Sequence, residues 1–182
     1  MRAPHDTLTS ERLVLRRYTA DDLDLLVRLH SDPRVMQFAG GVYDRARTEA
    51  MLRERILAYY DQHPGLGVWL TSERATGEPV GMHLLNHVRD DTVIQVGYLL
   101  YPEYWGRGYA TEMAARLLRY GFAELGLPQI SAITDLPHVD SQRVLLKIGL
   151  RRDGERHFPA YGSDPLAFFT RDAASWLAEH PA

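Results

Sequence analysis

The chain has 182 residues, of which 45% are hydrophobic and 25% are charged, and its formal net charge is −3. These values are ordinary for a globular protein, and we expect one domain over residues 1–182. The slight negative charge disfavours a broad electrostatic interaction with nucleic acid. The absence of cysteine excludes disulfides, thiolate zinc sites and a cysteine nucleophile.

The N-terminal residues contain no apolar stretch of signal-peptide length. The longest apolar runs are far below the roughly 20 residues that a membrane-spanning helix needs. We therefore expect a cytoplasmic protein without a membrane partner, either a monomer or a homodimer.

Hydrophobic periodicity predicts a strand, two helices and three further strands in the first part of the chain. Asp32-Pro33 ends the first helix, and the turns at Thr76-Gly77 and Arg89-Asp90-Asp91 predict an antiparallel meander of the three strands. The predicted elements are a strand at 12–18, helices at 23–30 and about 44–61, and strands at 67–72, 79–87 and 92–101.

A long amphipathic helix opens the second part, and Gly126-Leu127-Pro128 ends it. Asp140 or Ser141 is predicted to cap a short helix. The predicted elements are helices at about 108–125, 140–148 and 173–179, and strands at 129–134, 150–158 and 164–171. The strand–helix–strand order implies a crossover, so the fold class is α+β (α/β mixed), with about seven strands in a mixed, mostly antiparallel sheet flanked by helices.

The segment from Gln95 to Glu112 is the most informative part of the sequence. A strand leads into Pro102, then into the Gly106-Arg107-Gly108 turn, and then into the amphipathic helix. The first turn of a helix has backbone N–H groups without intrahelical acceptors, and the helix dipole adds partial positive charge there. Glycines allow phosphate oxygens to approach closely, so this turn suits a pyrophosphate, although glycines also occur in ordinary strand-to-helix turns.

Two nucleotide-binding motifs fit this turn less well. A dinucleotide-binding motif requires a small residue where Thr111 stands and an opening βαβ unit, which the sequence does not predict. A P-loop requires Lys-Ser/Thr after the glycines. His83 and His87 lie on one face of a predicted strand, but two histidines are weak evidence for a metal site, and we predict none.

The turn resembles the CoA-binding motif of the GNAT N-acetyltransferases, Gln/Arg-x-x-Gly-x-Gly/Ala, with Trp105, Gly108 and Ala110 at its three defined positions. Trp105 departs from the Gln/Arg of the motif, but a tryptophan there is familiar in the branch that resembles ribosomal-protein-alanine N-acetyltransferases. The resemblance extends over nearly the whole chain. The segment 9–16 is similar to the opening strand of the branch that contains ribosomal-protein-alanine N-acetyltransferases, and 141–150 is similar to its late helix. The resemblance implies a GNAT-type acyl-CoA N-acyltransferase fold.

The implied activity is transfer of an acetyl group from acetyl-CoA, the co-substrate, to a primary amine by direct attack, without a metal. The amine is a protein or peptide N-terminus or a small molecule. The resemblance places Ser141 near the CoA sulfur, where its hydroxyl would protonate the leaving thiolate. The residues that it assigns to CoA binding are Tyr98, Leu99, Leu100, Trp105, Gly106, Arg107, Gly108, Tyr109, Ala110, Thr111 and Ser141.

Two positions depart from the branch. Gln95 stands where a glutamate is often the candidate base, and an amide cannot accept a proton. His138 stands where an asparagine is usual, and a histidine there is a candidate base or relay. These two departures suggest an alternative function, a CoA-binding regulatory or structural module with decayed catalysis. A third alternative, a nucleotide-cofactor oxidoreductase, would require NAD binding in place of CoA.

Overall fold

The computed structural model describes residues 7–181, which divide into two compact units. The first unit contains the chain up to residue 84 together with 98–110, and the second contains 85–97 and the chain from 111 onward. The strands are β1 (Thr7–Thr9), β2 (Leu13–Arg17), β3 (Gly67–Glu73), β4 (Pro79–His87), β5 (Ile94–Leu100), β6 (Gln129–Asp135), β7 (Arg151–Arg156) and β8 (Leu166–Asp172). The helices are α1 (Leu23–Ser31), α2 (Pro33–Met36), α3 (Arg45–Met51), α4 (Ala58–Gln62), α5 (Tyr109–Arg119), α6 (Val139–Lys147) and α7 (Ala173–Glu179).

Within the described residues, eight strands form one mixed sheet in the order β1-β2-β3-β4-β5-β6-β8-β7. This confirms the predicted fold class, with one strand more than the sequence indicated. The additional strand is β1, in which Leu8 lies opposite Leu15 of β2. Three residues are too short a segment for periodicity to identify a strand, so its pairing with β2 decides it.

The first unit has an apolar core between its helices and the strands β3 and β4, to which Val68, Leu70 and Met82 belong. Strand β2 alternates buried residues with more exposed ones beside this core. Leu13 and Leu15 of β2 are fully buried, whereas Arg16 is exposed and forms two hydrogen bonds of 2.7 and 2.8 Å with Asp22. The amphipathic helix α1 buries Leu26 and Leu29 in this core. The observed strand and helix therefore follow from the alternation and the helical spacing of the sequence.

The predicted helix at about 44–61 is interrupted in the structure. A π-helical segment, Leu52–Leu57, separates α3 from α4 and places Leu52 and Ile56 in the core of the first unit. The predicted helix at 108–125 is also not α-helical throughout, because α5 continues as a π-helical segment at Tyr120–Glu124. Packing selects these insertions, and the helical period of the sequence does not reveal them.

Strands β4 and β5 are neighbours in the sheet, and one backbone hydrogen bond near each end shows how they are paired. The Val88 N–H donates to the Val93 carbonyl at 2.8 Å, and the Tyr101 N–H donates to the Val80 carbonyl at 3.0 Å. In this register the backbone groups of Leu99 face β4, and those of Tyr98 and Leu100 face the opposite edge. The pairing confirms the order of the predicted meander.

The second unit contains the parallel pairing of the sheet. Gln95 of β5 lies opposite Ser131 of β6, and β6 then pairs antiparallel with β8 along seven residue pairs. A Cβ atom on Gly121, in the π-helical segment, would lie 2.5 Å from Ile130 of β6. A glycine is needed there because the helix packs closely against the strand.

The start of α6 differs from the prediction. His138 occupies the N-cap position of this helix, although its side chain forms no capping hydrogen bond. Neither Asp140 nor Ser141 is therefore the N-cap, and Ser141 lies inside the first turn. The helix begins earlier because the His138 N–H donates to the Asp135 carbonyl at 3.0 Å, which turns the chain into the helical direction at that point. No helix within residues 7–181 is long and apolar enough to cross a membrane.

Candidate active site

The glycine turn of the first unit lies between a short 3₁₀ segment, Pro102–Tyr104, and helix α5. The Trp105 N–H donates to the Pro102 carbonyl at 3.1 Å. Gly106 and Gly108 have φ angles of +73° and +79°, a left-handed conformation that other residues adopt at a cost. The glycines are thus required by the backbone conformation of the turn.

The N-terminus of α5 supplies the donors of the site. Because this helix begins at Tyr109, the N–H groups of Gly108, Tyr109, Ala110 and Thr111 have no acceptor within it. A Cβ atom on Gly106 would find no heavy atom of the protein within 4 Å, so the space above this residue is open. The open space and the helix dipole make the turn suitable for an anion such as a diphosphate.

Trp105 connects this turn to the preceding strand. Its indole N–H donates to the Leu100 carbonyl at 2.9 Å, on the edge of β5 that faces away from β4. The ring is half exposed. Leu99 faces the other way, since its carbonyl oxygen would lie 2.2 Å from a Cβ atom on Gly81 of β4. Of the three strand residues that the resemblance assigns to CoA binding, Tyr98 and Leu100 therefore direct their backbone groups to the edge opposite β4.

Arg107, the predicted phosphate contact, has an acidic neighbour. Its Nη1 lies 3.6 Å from Glu73 Oε1, and its guanidinium group lies over the Tyr104 ring, 5.0 Å from the centroid. The Arg107 side chain is about half exposed, so an anion at the turn can still compete for it. An exposed ion pair of this kind contributes little to stability.

His138 and Ser141 lie in the second unit, where β6 leads into α6. Burial lowers the pKa of the His138 imidazole, which favours its neutral form at pH 7. Burial also raises the pKa of the Asp135 carboxyl group, and the His138 charge opposes that effect. A neutral imidazole at this position is able to accept a proton.

Gln95 forms an amide pair in the second unit. Its Nε2 donates to Asn86 Oδ1 at 3.5 Å, and the two residues lie opposite each other in the β4–β5 register. The Gln95 side chain is largely buried. Neither amide can accept a proton, so this pair places no general base at the position where the branch often has a carboxylate.

The two histidines that the sequence analysis considered as metal ligands, His83 and His87, lie on β4. His83 is fully buried, and its Nδ1 lies 2.8 Å from Thr71 Oγ1, which gives it a structural partner on β3. Among residues 7–181, no group of three or more histidine, cysteine, aspartate or glutamate side chains is arranged to hold a metal ion.

Sequence reasoning missed two residues that contact the glycine turn. Arg12 Nη1 donates to the Arg107 carbonyl at 3.0 Å, and Glu73 accepts a hydrogen bond of 2.6 Å from the Tyr109 hydroxyl. The signal that could have indicated Arg12 was its position in the 9–16 segment, which resembles the opening strand of the branch. Glu73 had no such signal, because its role depends on where β3 ends.

Comparisons with known proteins bear on the family and the fold of the chain. A model of the acetyltransferase (GNAT) domain family matches residues 12–151. An uncharacterized N-acetyltransferase of Bacillus subtilis (strain 168), YoaA, is 30% identical over 153 residues, which span 81% of this chain and 84% of that protein. The crystal structure of an acetyltransferase from Agrobacterium tumefaciens str. C58 superposes with a TM-score of 0.81 at 27% identity, covering 94% of this chain and 95% of that one. The ribosomal-protein-S5-alanine acetyltransferase of Vibrio fischeri shares the fold, with a TM-score of 0.73 at 16% identity and coverage of 93% and 98%.

Proposed function

Because the chain belongs to the GNAT acetyltransferase family, we propose that it transfers an acetyl group from acetyl-CoA to a primary amine by direct attack of the amine on the thioester. The observation that supports this proposal is the turn at 105–111, where two left-handed glycines precede the donor-rich N-terminus of α5. The residues present fit a diphosphate, since the turn offers backbone donors and open space above Gly106.

The reaction needs no covalent enzyme intermediate. The amine nitrogen forms a bond to the acetyl carbonyl carbon, the carbon–sulfur bond of the thioester then breaks, and the products are an amide and CoA thiolate. The amine loses one proton and the thiolate gains one. We assign the thiolate proton to the Ser141 hydroxyl, and we assign the acceptance of the amine proton to the neutral imidazole of His138. Exchange with solvent then returns one proton to Ser141 and removes one from His138, so that the enzyme regains its starting state.

The amide pair of Gln95 and Asn86 supports a restriction on the acceptor. An α-amino group with a pKa near 7.7–8 is roughly one tenth neutral at pH 7, which costs about 1.4 kcal/mol. A lysine amine with a pKa near 10.4 costs about 4.6 kcal/mol to deprotonate at the same pH. A site without a carboxylate base favours the first kind, so we propose an acceptor amine of low pKa, such as a peptide N-terminus or a small-molecule amine of similar pKa.

Two peptide substrates of one sequence test this restriction. One peptide has a free N-terminus and an acetylated lysine, and the other has an acetylated N-terminus and a free lysine. We expect acetyl-CoA-dependent modification of the first peptide to have the higher kcat/KM at pH 7, measured by release of CoA. A clear preference for the lysine peptide would overturn the restriction on the acceptor.

The second candidate function is a CoA-binding module without catalysis, which the same Gln95–Asn86 pair favours. Titration calorimetry with CoA, combined with the CoA-release assay on α-amines, lysine peptides and polyamines, separates the two functions. Tight CoA binding without turnover on any acceptor supports the module. Turnover on one acceptor class supports the enzyme.

A further inference from the structure

Arg12 precedes β2 and contacts the glycine turn although it lies 95 residues away in sequence. Its Nη1 donates to the Arg107 carbonyl at 3.0 Å. Its guanidinium group also lies over the ring of Tyr109, 4.7 Å from the centroid. One side chain of the opening segment therefore contacts both the turn and the first residue of α5.

The contact with the Arg107 carbonyl has a consequence for the next N–H group. A trans peptide bond is planar, and its C=O and N–H groups point in opposite directions. Since the Arg107 carbonyl is directed toward Arg12, the N–H of Gly108 is directed away from it. A Cβ atom on Gly108 would lie 3.5 Å from Arg12 Nη2, which places the guanidinium group beside the turn. Arg12 thus fixes the direction of one of the donors at the N-terminus of α5.

Glu73, the last residue of β3, holds the next residue of the turn. Its Oε1 accepts a hydrogen bond of 2.6 Å from the Tyr109 hydroxyl, and its Oε2 accepts one of 3.0 Å from Thr76. The bond with Tyr109 lowers the pKa of the Glu73 carboxyl group, so the acceptor is ionised at neutral pH. The side chain of Tyr109 is thereby tied to β3, and the backbone of α5 begins from a fixed point.

We propose that Arg12 and Glu73 are positioning residues, which hold the turn from Gly106 to Ala110 in its diphosphate-binding conformation before acyl-CoA binds. The inference rests on the proposed function, because it takes the turn to be the diphosphate site. Holding the donors in place in the free protein reduces the ordering that binding would otherwise require, so the expected gain lies in CoA affinity. In this role Arg12 acts through the Arg107 peptide group without contacting a phosphate.

Hydrogen exchange of the ligand-free protein tests the positioning role independently of CoA. We expect Arg12→Met to increase amide exchange in a peptide covering 106–111, because the Arg107 carbonyl loses its donor. The matched control is Arg119→Met, since Arg119 also donates to two backbone carbonyls, those of His180 and Pro181, and neither belongs to the opening segment. Faster exchange in both variants, or in neither, would overturn the proposal.

Binding measurements with CoA and with dephospho-CoA, which lacks the 3′-phosphate, separate the positioning role of Arg12 from a direct contact with the 3′-phosphate. We expect Arg12→Met to raise the Kd of both ligands by the same factor, about five- to tenfold. The KM for acetyl-CoA should rise in parallel, while kcat at saturating acetyl-CoA stays the same. A loss confined to CoA, with normal exchange at 106–111, would make Arg12 a ligand of the 3′-phosphate and overturn the proposal.

Tyr109→Phe provides a second variant if Arg12→Met does not fold. It removes the hydroxyl group that donates a hydrogen bond to Glu73, and it keeps the aromatic ring beneath Arg12. The expected result is again faster exchange at 106–111 and weaker binding of both ligands, and wild-type exchange would overturn the role of Glu73. If the wild-type protein binds neither ligand, the proposed function fails, while the exchange experiment still decides whether Arg12 and Glu73 hold the turn.

Discussion

Gly106 offers a test in which backbone strain and ligand binding separate. Its φ angle is +73°, and a Cβ atom would meet no heavy atom of the protein within 4 Å. Only the backbone conformation therefore opposes Gly106→Ala. An L-residue in the left-handed region costs roughly 1–2 kcal/mol, and the reduced entropy of the unfolded chain offsets about 0.4–1 kcal/mol of that. We expect Gly106→Ala to lower the free energy of unfolding by about 1 kcal/mol.

The same substitution should weaken CoA binding by at least about tenfold, which corresponds to about 1.4 kcal/mol. If the alanine keeps the left-handed conformation, its methyl group occupies the open space where the diphosphate oxygens approach. If the backbone relaxes to negative φ, the direction of the N–H groups in the turn changes. Both outcomes raise the Kd, which titration calorimetry with CoA measures, and urea unfolding followed by circular dichroism measures the stability.

The matched control is Gly126→Ala in the second unit. Gly126 has a φ angle of +68°, and a Cβ atom there also meets nothing within 4 Å. It should lose a similar amount of stability, about 1 kcal/mol, and bind CoA with the Kd of the wild type. Normal CoA binding by Gly106→Ala, together with the expected loss of stability, would refute the assignment of the diphosphate to this turn.

Three further predictions address the buried histidine of α1, the position of Gln95 and the proposed proton donor Ser141. Burial lowers the pKa of His30 from 6.5 to about 4, so the folded protein binds fewer protons there than the unfolded chain, and stability falls as the pH drops below about 6.5. Between pH 7 and pH 5 this effect lowers the free energy of unfolding by about 2 kcal/mol. Urea unfolding should show that His30→Gln removes this pH dependence. The control His157→Gln, at an exposed position, should retain it. Gln95→Glu should raise the ratio of lysine-peptide to α-amine kcat/KM by about tenfold, since it introduces a carboxylate base, and an unchanged ratio would contradict the role given to this position. Ser141→Ala should lower kcat by about 10²-fold in steady-state kinetics, because it removes the proposed proton donor to the CoA thiolate; a normal kcat would remove Ser141 from the mechanism.

Features that depend on neighbouring residues can be predicted from the local sequence. Helix α7 has the predicted limits of Ala173 and Glu179, because the segment is helical in pattern and Asp172 caps it through the Ser175 N–H at 2.8 Å. The glycine turn before α5 was likewise predictable, since glycines and an amphipathic helix leave their signature in consecutive residues. Family membership followed from the same local motifs and is confirmed by the family match over residues 12–151.

Features that join residues far apart in the chain depend on the folded arrangement of the elements. The contact of Arg12 with Arg107, the pairing of Gln95 with Asn86 and the short strand β1 all require a partner that the local sequence does not specify. The π-helical segments within the two long helices and the start of α6 at Val139 depend in the same way on packing and on turn hydrogen bonds. The physical reason is that backbone propensity and capping act over a few residues, whereas side-chain partners are selected by the packing of elements that the whole chain brings together.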